Sequence, residues 1–174
     1  MLSNYNKWAV LTAFFNDPLN EFGLRELSRK VKLAPKSVKT YLKEFIKKKL
    51  LTETQKDKKP QYKANRDNKE FIQYKKINNQ LQLQNTGLID FIYNTYLPDV
   101  IILFGSFSKG EDIKKSDVDI YIQSAEKRIN LEKYEKLIER KINLLFSSNF
   151  NKLSNELKNN LLNGIILKGY LKVF

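Results

Sequence analysis

Between Asp99 and Gln123 the chain sets two apolar runs, Val100 to Phe104 and Ile120 to Ile122, around a Gly105-Ser106 break and an Asp117-Val118-Asp119 triplet. Residues two apart in an extended strand point to one face, so the two carboxylates project together, about 7 Å apart along the strand. The apolar residues that flank and separate them predict a mostly buried strand. Two anions side by side there repel each other and are costly to desolvate, and a cation between them relieves both effects. Hard oxygen ligands favour magnesium or manganese. The alternative is a surface strand whose Asp117 and Asp119 are occupied by salt bridges.

Composition removes several other chemistries. The chain has no Cys and no His, which excludes zinc sites, disulfides, thiol nucleophiles and histidine acid-base catalysis. Its 32 Lys+Arg against 19 Asp+Glu give a formal charge of +13. The excess is uneven: residues 1–70 hold 17 basic and 8 acidic side chains, residues 71–174 hold 15 and 11. A basic first module points to a polyanion, although a Lys-, Asn- and Ile-rich genome would produce the same bias. Apolar runs reach only about five residues, far short of the ~20 a membrane span requires. Met1-Leu2-Ser3-Asn4 opens no signal-peptide pattern, so a soluble cytoplasmic protein without membrane contact is the expectation.

In residues 1–66, Tyr5, Trp8, Ala9, Leu11, Thr12 and Phe15 recur at helical spacing before Asn16-Asp17-Pro18 ends the run. Leu24 to Val31 predicts a short second helix with Leu24, Leu27 and Val31 inward. After Lys32-Leu33-Ala34, Pro35 suits the first position of a third helix, where no donor is needed. Val38, Tyr41, Leu42, Phe45, Ile46 and Leu50 give that helix one buried face. Lys36, Ser37, Lys39, Thr40, Lys43 and Lys47 lie opposite, where they could reach phosphates and base edges. Strands at Leu50 to Gln55 and Gln61 to Asn65 then flank Lys56-Asp57-Lys58-Lys59-Pro60.

This order of elements resembles a winged helix-turn-helix domain. The resemblance implies double-stranded DNA as partner, a recognition helix Pro35 to Lys49 in the major groove, and Lys58 and Lys59 of the wing near the backbone. Ala34 departs from the pattern, since Ser or Asn would cap the helix better. A solvated lysine-rich helix used only for protein contacts is the competing interpretation.

Residues 67–84 are polar, rich in Gln and Asn and free of Pro, which predicts a helical connector without chemistry of its own. The second module, residues 85–174, begins with a helix capped by Thr86, whose buried side is Leu88, Ile89, Phe91, Ile92 and Tyr96. Val100 to Phe104 is a buried strand, and Phe107-Ser108-Lys109-Gly110 a short helical turn. Gly105 permits close backbone approach to a ligand, and the Ser106 hydroxyl can hold phosphate oxygens. Leu131 to Lys141 predicts a helix with Leu131, Tyr134, Leu137 and Ile138 inward, Ile142 to Phe146 a strand, and Phe150 to Asn160 a helix. Gly164 to Phe174 is ambiguous. A twisted mixed sheet with helices mainly on one face follows.

Gly105-Ser106, ten intervening residues and Asp117-Val118-Asp119 resemble the signature of minimal nucleotidyltransferases of the polymerase-beta-like superfamily. Gly110, Ser116, Ile120 and the ending Asn163 to Tyr170 are similar too. The expected fold class is α+β: an N-terminal winged helix-turn-helix, then a small mixed β-sheet nucleotidyltransferase fold with helices packed on it. The resemblance implies Mg2+ or Mn2+ as cofactor and ATP or another NTP as substrate. Asp117 and Asp119 would ligate two divalent ions, Gly105 and Ser106 would orient the β and γ phosphates, and Lys109 would neutralise phosphate charge. Lys114 or Lys115 would share that role or are simply solvated loop residues.

Active members carry a third carboxylate where this chain has Asn143, within Lys141-Ile142-Asn143-Leu144. An amide oxygen can ligate a metal but brings no charge and cannot accept the hydroxyl proton as a carboxylate can. Whether the chain is an enzyme is thus open, with transfer favoured. The leading expectation is transfer of a nucleoside monophosphate from an NTP to a hydroxyl on a partner protein, as in toxin-antitoxin pairs, with the winged helix targeting DNA. The alternative is a catalytically impaired DNA-binding regulator or antitoxin whose second domain only binds nucleotide or a partner. A nucleic-acid end modifier is a third option. Winged helices often bind DNA as dimers, so a homodimer stays open, though no heptad or apolar patch marks one.

Overall fold

The computed structural model describes residues 5–126 and 129–173. Met1 to Asn4, the stretch without a signal-peptide pattern, lie outside the described residues, as does Phe174. The chain divides into two compact units, residues 1–78 and 79–174.

The first unit runs α1 (Tyr5–Asn16), β1 (Glu21–Gly23), α2 (Leu24–Val31), α3 (Pro35–Lys47), β2 (Leu51–Lys56) and β3 (Lys59–Ala64), then enters α4 (Lys69–Thr86). Its three strands are antiparallel in the order β1-β3-β2, the winged-helix arrangement. Phe14, Phe15, Phe22, Leu27, Val38, Leu42, Phe45 and Phe71 fill its core. Trp8 packs edge-on against Phe15 with ring centroids 5.5 Å apart. Tyr5, expected inward, is 83% exposed because α1 meets the core only from its second turn.

Strand β1 has no counterpart among the expected elements. Three residues are too few for a period to register, and only Phe22, paired with Tyr62, reveals the strand's role. Helix α2 stops where Lys32 adopts φ 54° and the Leu33 amide bonds back to Ser28 O at 3.1 Å. Helix α3 then starts on Pro35 with no side-chain cap from Ala34, and ends at Lys47, two residues earlier than expected. The wing is also tighter than predicted: Lys56 pairs with Lys59, leaving Asp57-Lys58 as a two-residue loop. Both loop residues have positive φ, 50° and 61°, the geometry whose twist matches a β-hairpin. Lys59 and Pro60 therefore belong to β3. Pro60 is tolerated because β1 reaches β3 only from Gln61 onward.

The second unit contains the end of α4, α5 (Leu88–Tyr96), β4 (Val100–Phe104), α6 (Gly105–Lys109), β5 (Val118–Ile122), α7 (Glu132–Ile138), β6 (Ile142–Phe146), a 3-10 turn at Phe150–Lys152, α8 (Asn155–Leu162) and β7 (Ile165–Gly169). The strands order as β6-β5-β4-β7. Only β5 and β6 run parallel, so the sheet is mixed.

Strand alternation divides the sheet into two faces. Ile101, Leu103, Val118, Ile120, Ile122 and Ile142 join α5 and α7 in the larger core. Val100, Ile102 and Tyr121 face the other way, against Phe150 and Leu161. The sheet thus has a second, thinner cover from α8, beyond the helices expected on one face. Helix α7 is shorter than predicted, ending where Glu139 takes φ 57°. Leu137, predicted inward, is 58% exposed. The helix expected over Phe150 to Asn160 is broken at Ser154, whose hydroxyl caps α8 by accepting from the Leu157 amide at 3.3 Å. Thr86 accepts from the Leu88 amide at 3.2 Å, while the capping position itself is Gly87 at φ 73°.

Candidate functional site

Register brings the candidate residues together. Asp119 on β5 lies beside Phe104 on β4 and beside Asn143 on β6. By alternation Asp119 shares its face with Tyr121, and Asn143 with Leu145, which is the face of the thinner core. That core runs out here: Asp119 is only half-buried, and Asp117 and Asn143 are exposed. The strand is buried as expected on both faces beyond Asp119, Tyr121 included. The carboxylate pair itself opens to solvent at the start of that buried strand.

The Asn143 side chain joins the two acids. Its Nδ2 donates to Asp117 Oδ2 at 3.2 Å and to Asp119 Oδ1 at 3.1 Å. Neither carboxylate has an ion pair among the described residues, which disfavours the salt-bridged surface strand. Two oxygens converge on one donor, and a divalent ion could take that donor's place. No cluster of three His, Cys, Asp or Glu side chains occurs among the described residues. The donor set of two carboxylates and one amide oxygen therefore fits a hard ion completed by phosphate oxygens, and falls one charge short of a three-carboxylate site.

Asp119 rests directly over the Gly-Ser turn. Gly105 has φ +72°, and a Cβ built on it would lie 2.5 Å from Asp119 Oδ2. The turn is pinned by Phe107, which is fully buried, and by Ser108, whose hydroxyl donates to Gly105 O at 2.8 Å. Ser106 is half-buried, and Lys109 at the end of α6 is exposed, as are Lys114 and Lys115.

Three residues around the site carried no sequence signal. Asp112 is fully buried between Arg140, whose Nη2 donates to it at 2.8 Å, and Asn79, whose Nδ2 donates to it at 2.8 Å. Asn79 lies in the segment read as a connector without chemistry. Their separations of 28 and 33 residues along the chain put them beyond any local pattern.

Glu135 fixes the start of β6 at Ile142, the residue before Asn143. Its Oε1 accepts from the Ile142 amide at 3.0 Å and its Oε2 from Lys141 Nζ at 3.2 Å. The Ile142 hydrogen bond, with help from Lys141, holds the carboxyl below its ordinary value of 4.5. The stabilisation this charge supplies is fully present above that ordinary value and is lost as pH falls through the lower folded one. Thermal melts from about pH 6 to pH 3 should therefore show wild type ahead of Glu135→Gln at the upper end, with the gap closing on acidification.

In the first unit, Lys36, Lys39, Thr40, Lys43 and Lys47 are exposed along α3, and Ser37 is half-buried. The Thr40 hydroxyl donates to Lys36 O at 3.1 Å, so it is engaged by its own helix. Glu44, the acid of α3, is paired with Lys7 at 2.5 Å. Lys58 stands in the two-residue loop at the tip of the wing and Lys59 next to it on β3, both exposed. Arg25 and Arg29 of α2, absent from the candidate residues, line a hollow with Ser28, Leu33 and Pro35 at the start of α3.

Two family models match the chain. Residues 86–171 match the family model described as polymerase beta, nucleotidyltransferase. Residues 24–119, more than half of the chain, match that of the penicillinase repressor. No curated protein and no solved structure matches the chain. Among the described residues no helix is long and apolar enough to cross a membrane.

Proposed function

Since the chain belongs to the penicillinase repressor family of winged-helix proteins and carries a polymerase beta nucleotidyltransferase domain, we propose that it binds duplex DNA and transfers a nucleoside monophosphate from an NTP to a hydroxyl of a partner protein. Residues 1–66 serve the DNA, residues 85–174 serve the nucleotide, and residues 67–84 join them. The observation that carries the transfer half is the convergence of Asp117 and Asp119 beside Gly105.

A divalent ion at such a site would neutralise the triphosphate and lower the pKa of an attacking hydroxyl. The protein's own part is positioning. Asp117 and Asp119 supply two hard anionic oxygens on one face. Gly105, lacking a side chain, leaves room for Asp119 and for close approach of phosphate to the backbone. Ser106 offers a hydroxyl to phosphate oxygens, and Lys109 a mobile positive charge at the end of the same turn. Asn143 must rotate its amide to turn Oδ1 toward an ion, giving up both Nδ2 hydrogen bonds. Hydrogen bonds to charged groups are worth about 1.5–3 kcal/mol each, so this rotation weighs against ion binding.

That last point favours one specific second reading, a DNA-binding regulator in which nucleotide binds with little turnover. A transfer assay with α-labelled NTP separates the two. Wild type should label a partner protein in the presence of Mn2+ or Mg2+, and Asp117→Ala should lose at least two orders of magnitude, the usual scale for removing a group that stabilises the transition state. Magnesium-dependent thermal stabilisation by ATP without product would instead support the regulator.

The DNA half rests on the exposed lysines of α3 and the wing. Each phosphate neutralised contributes about 0.9 to the slope of log K against log salt on duplex DNA. Lys39→Ala and Lys43→Ala should each reduce that slope by about that amount and weaken binding similarly on all sequences. Duplex affinity that does not vary with salt in the wild type would reject DNA binding through this face.

A further inference from the structure

The loop from Gly110 to Asp117 delivers the first acid of the pair, yet it has no regular secondary structure. Its course is set by one guanidinium. Arg140 Nη2 donates to Asp112 Oδ2 at 2.8 Å, and Nη1 donates to Ser116 O at 2.9 Å and to Ile113 O. The loop folds on itself between those points: Ser116 N bonds Ile113 O, and Ile113 N bonds Ser116 Oγ, each at 3.0 Å. Asn79 closes the other side, donating to Asp112 Oδ1 at 2.8 Å and to Phe107 O at 2.9 Å. The guanidinium also stacks near Phe107, 5.3 Å from its ring centroid.

Stability alone is a poor reason to bury these charges. The Arg140 and Asp112 side chains are 6% and 0% exposed, and a buried ion pair is often no better for stability than an apolar pair of the same volume. Geometry is the better reason. A guanidinium presents its donors in a rigid plane, so one group can hold a carboxylate and two carbonyls in fixed relation, which an ammonium cannot. Arg140 stands three residues before Asn143, and the Lys141 carbonyl accepts from the Val118 amide at 2.9 Å, next to Asp117. One side chain thereby references Asp117 to the strand that carries Asn143.

We infer that Arg140, with Asp112 and Asn79 behind it, is a positioning residue for the nucleotide site, fixing Asp117 relative to Asp119 and Asn143 through the Ile113–Ser116 turn. The inference rests on the nucleotide-binding role proposed above. Groups that orient metal ligands without touching the metal typically contribute about 10-fold to 100-fold to its affinity.

The test uses the full chain, with Mn·ATP as the probe and apo-protein amide exchange as a second readout. Arg140→Lys keeps the charge beside Asp112 and removes the planar fork. It should bind Mn·ATP about tenfold more weakly, with faster exchange confined to residues 112–118 and a melting temperature near that of wild type. If Arg140→Lys does not fold, Asp112→Asn combined with Arg140→Gln leaves no unpaired buried charge and should show the same local pattern. Unchanged affinity and exchange in the folded variant, or faster exchange spread evenly over the second unit, would overturn the assignment of Arg140. Wild-type protein that fails to bind Mn·ATP would sink the nucleotide role itself, and this inference with it.

Discussion

Asn143→Asp should strengthen Mn2+ binding by roughly one to two orders of magnitude and raise transfer of nucleoside monophosphate at least as much. The wild-type amide places an N–H between Asp117 and Asp119, at 3.2 and 3.1 Å, where a donor neutralises part of their repulsion without any ion. A carboxylate there reverses the interaction. Three anions would crowd one open face, each pair repelling by up to about 4 kcal/mol at 4 Å for an effective dielectric of 20. Exposure of Asp117 and Asn143 reduces that figure considerably. The variant should therefore melt lower than wild type in chelator and higher than wild type in Mn2+, a crossing that simple destabilisation cannot produce. Isothermal titration with Mn2+ and the label-transfer assay read the two effects separately. Wild-type transfer as fast as that of Asn143→Asp would show that the amide suffices and that the impaired reading is wrong.

Gly105→Ala is expected to abolish Mn·ATP binding while leaving a folded second unit. Two independent costs fall on one methyl group. At φ +72° an L-residue pays about 1–2 kcal/mol for the left-handed conformation. The new Cβ would also sit 2.5 Å from Asp119 Oδ2, far inside contact distance. Relief by backbone movement is limited, because Phe107 and Ser108 anchor the turn from the buried side. Asp119 lies on a strand between two neighbours, so its backbone is held as well. The side chain must swing away from Asn143 and Asp117, which dismantles the donor set. A folded Gly105→Ala protein by circular dichroism with wild-type Mn·ATP affinity would remove Gly105 from the site. Loss of binding together with the fold would leave Ser106→Ala, which carries no backbone penalty, as the variant that decides whether this turn contacts phosphate; unchanged affinity there would count against it.

The parts of the fold that could be read in advance are those encoded within a few turns or one strand. Val38, Leu42 and Phe45 define the buried stripe of α3 by spacing alone, and all three are buried. The Asp-x-Asp pair and the Gly-Ser turn were visible because their residue types are unusual beside apolar strands. Expectation failed where neighbours distant in sequence decide the outcome. The predicted inward Leu137 lies on a helix cut short at Glu139, leaving it exposed. Strand β1 exists only because β3 offers it a partner. By spacing alone Arg140 is one more basic residue in the charged segment Leu131 to Lys141, and its buried partner Asp112 lies 28 residues away.

By itself the sequence determined which groups are available: two carboxylates of like facing, a glycine that can adopt positive φ, a basic helix, and an amide where a third acid would complete a metal site. These are properties of residue type and of short periods, so they need no knowledge of what lies across the sheet. The tertiary structure decided what those groups meet. Parallel pairing of β5 with β6 set Asn143 beside Asp119, the division of the sheet into a thick and a thin core left their face open, and one buried guanidinium fixed the loop that presents Asp117. Each of these depends on register and burial between segments separated by tens of residues, and such contacts are selected by packing of the whole unit, beyond any preference written into the local chain.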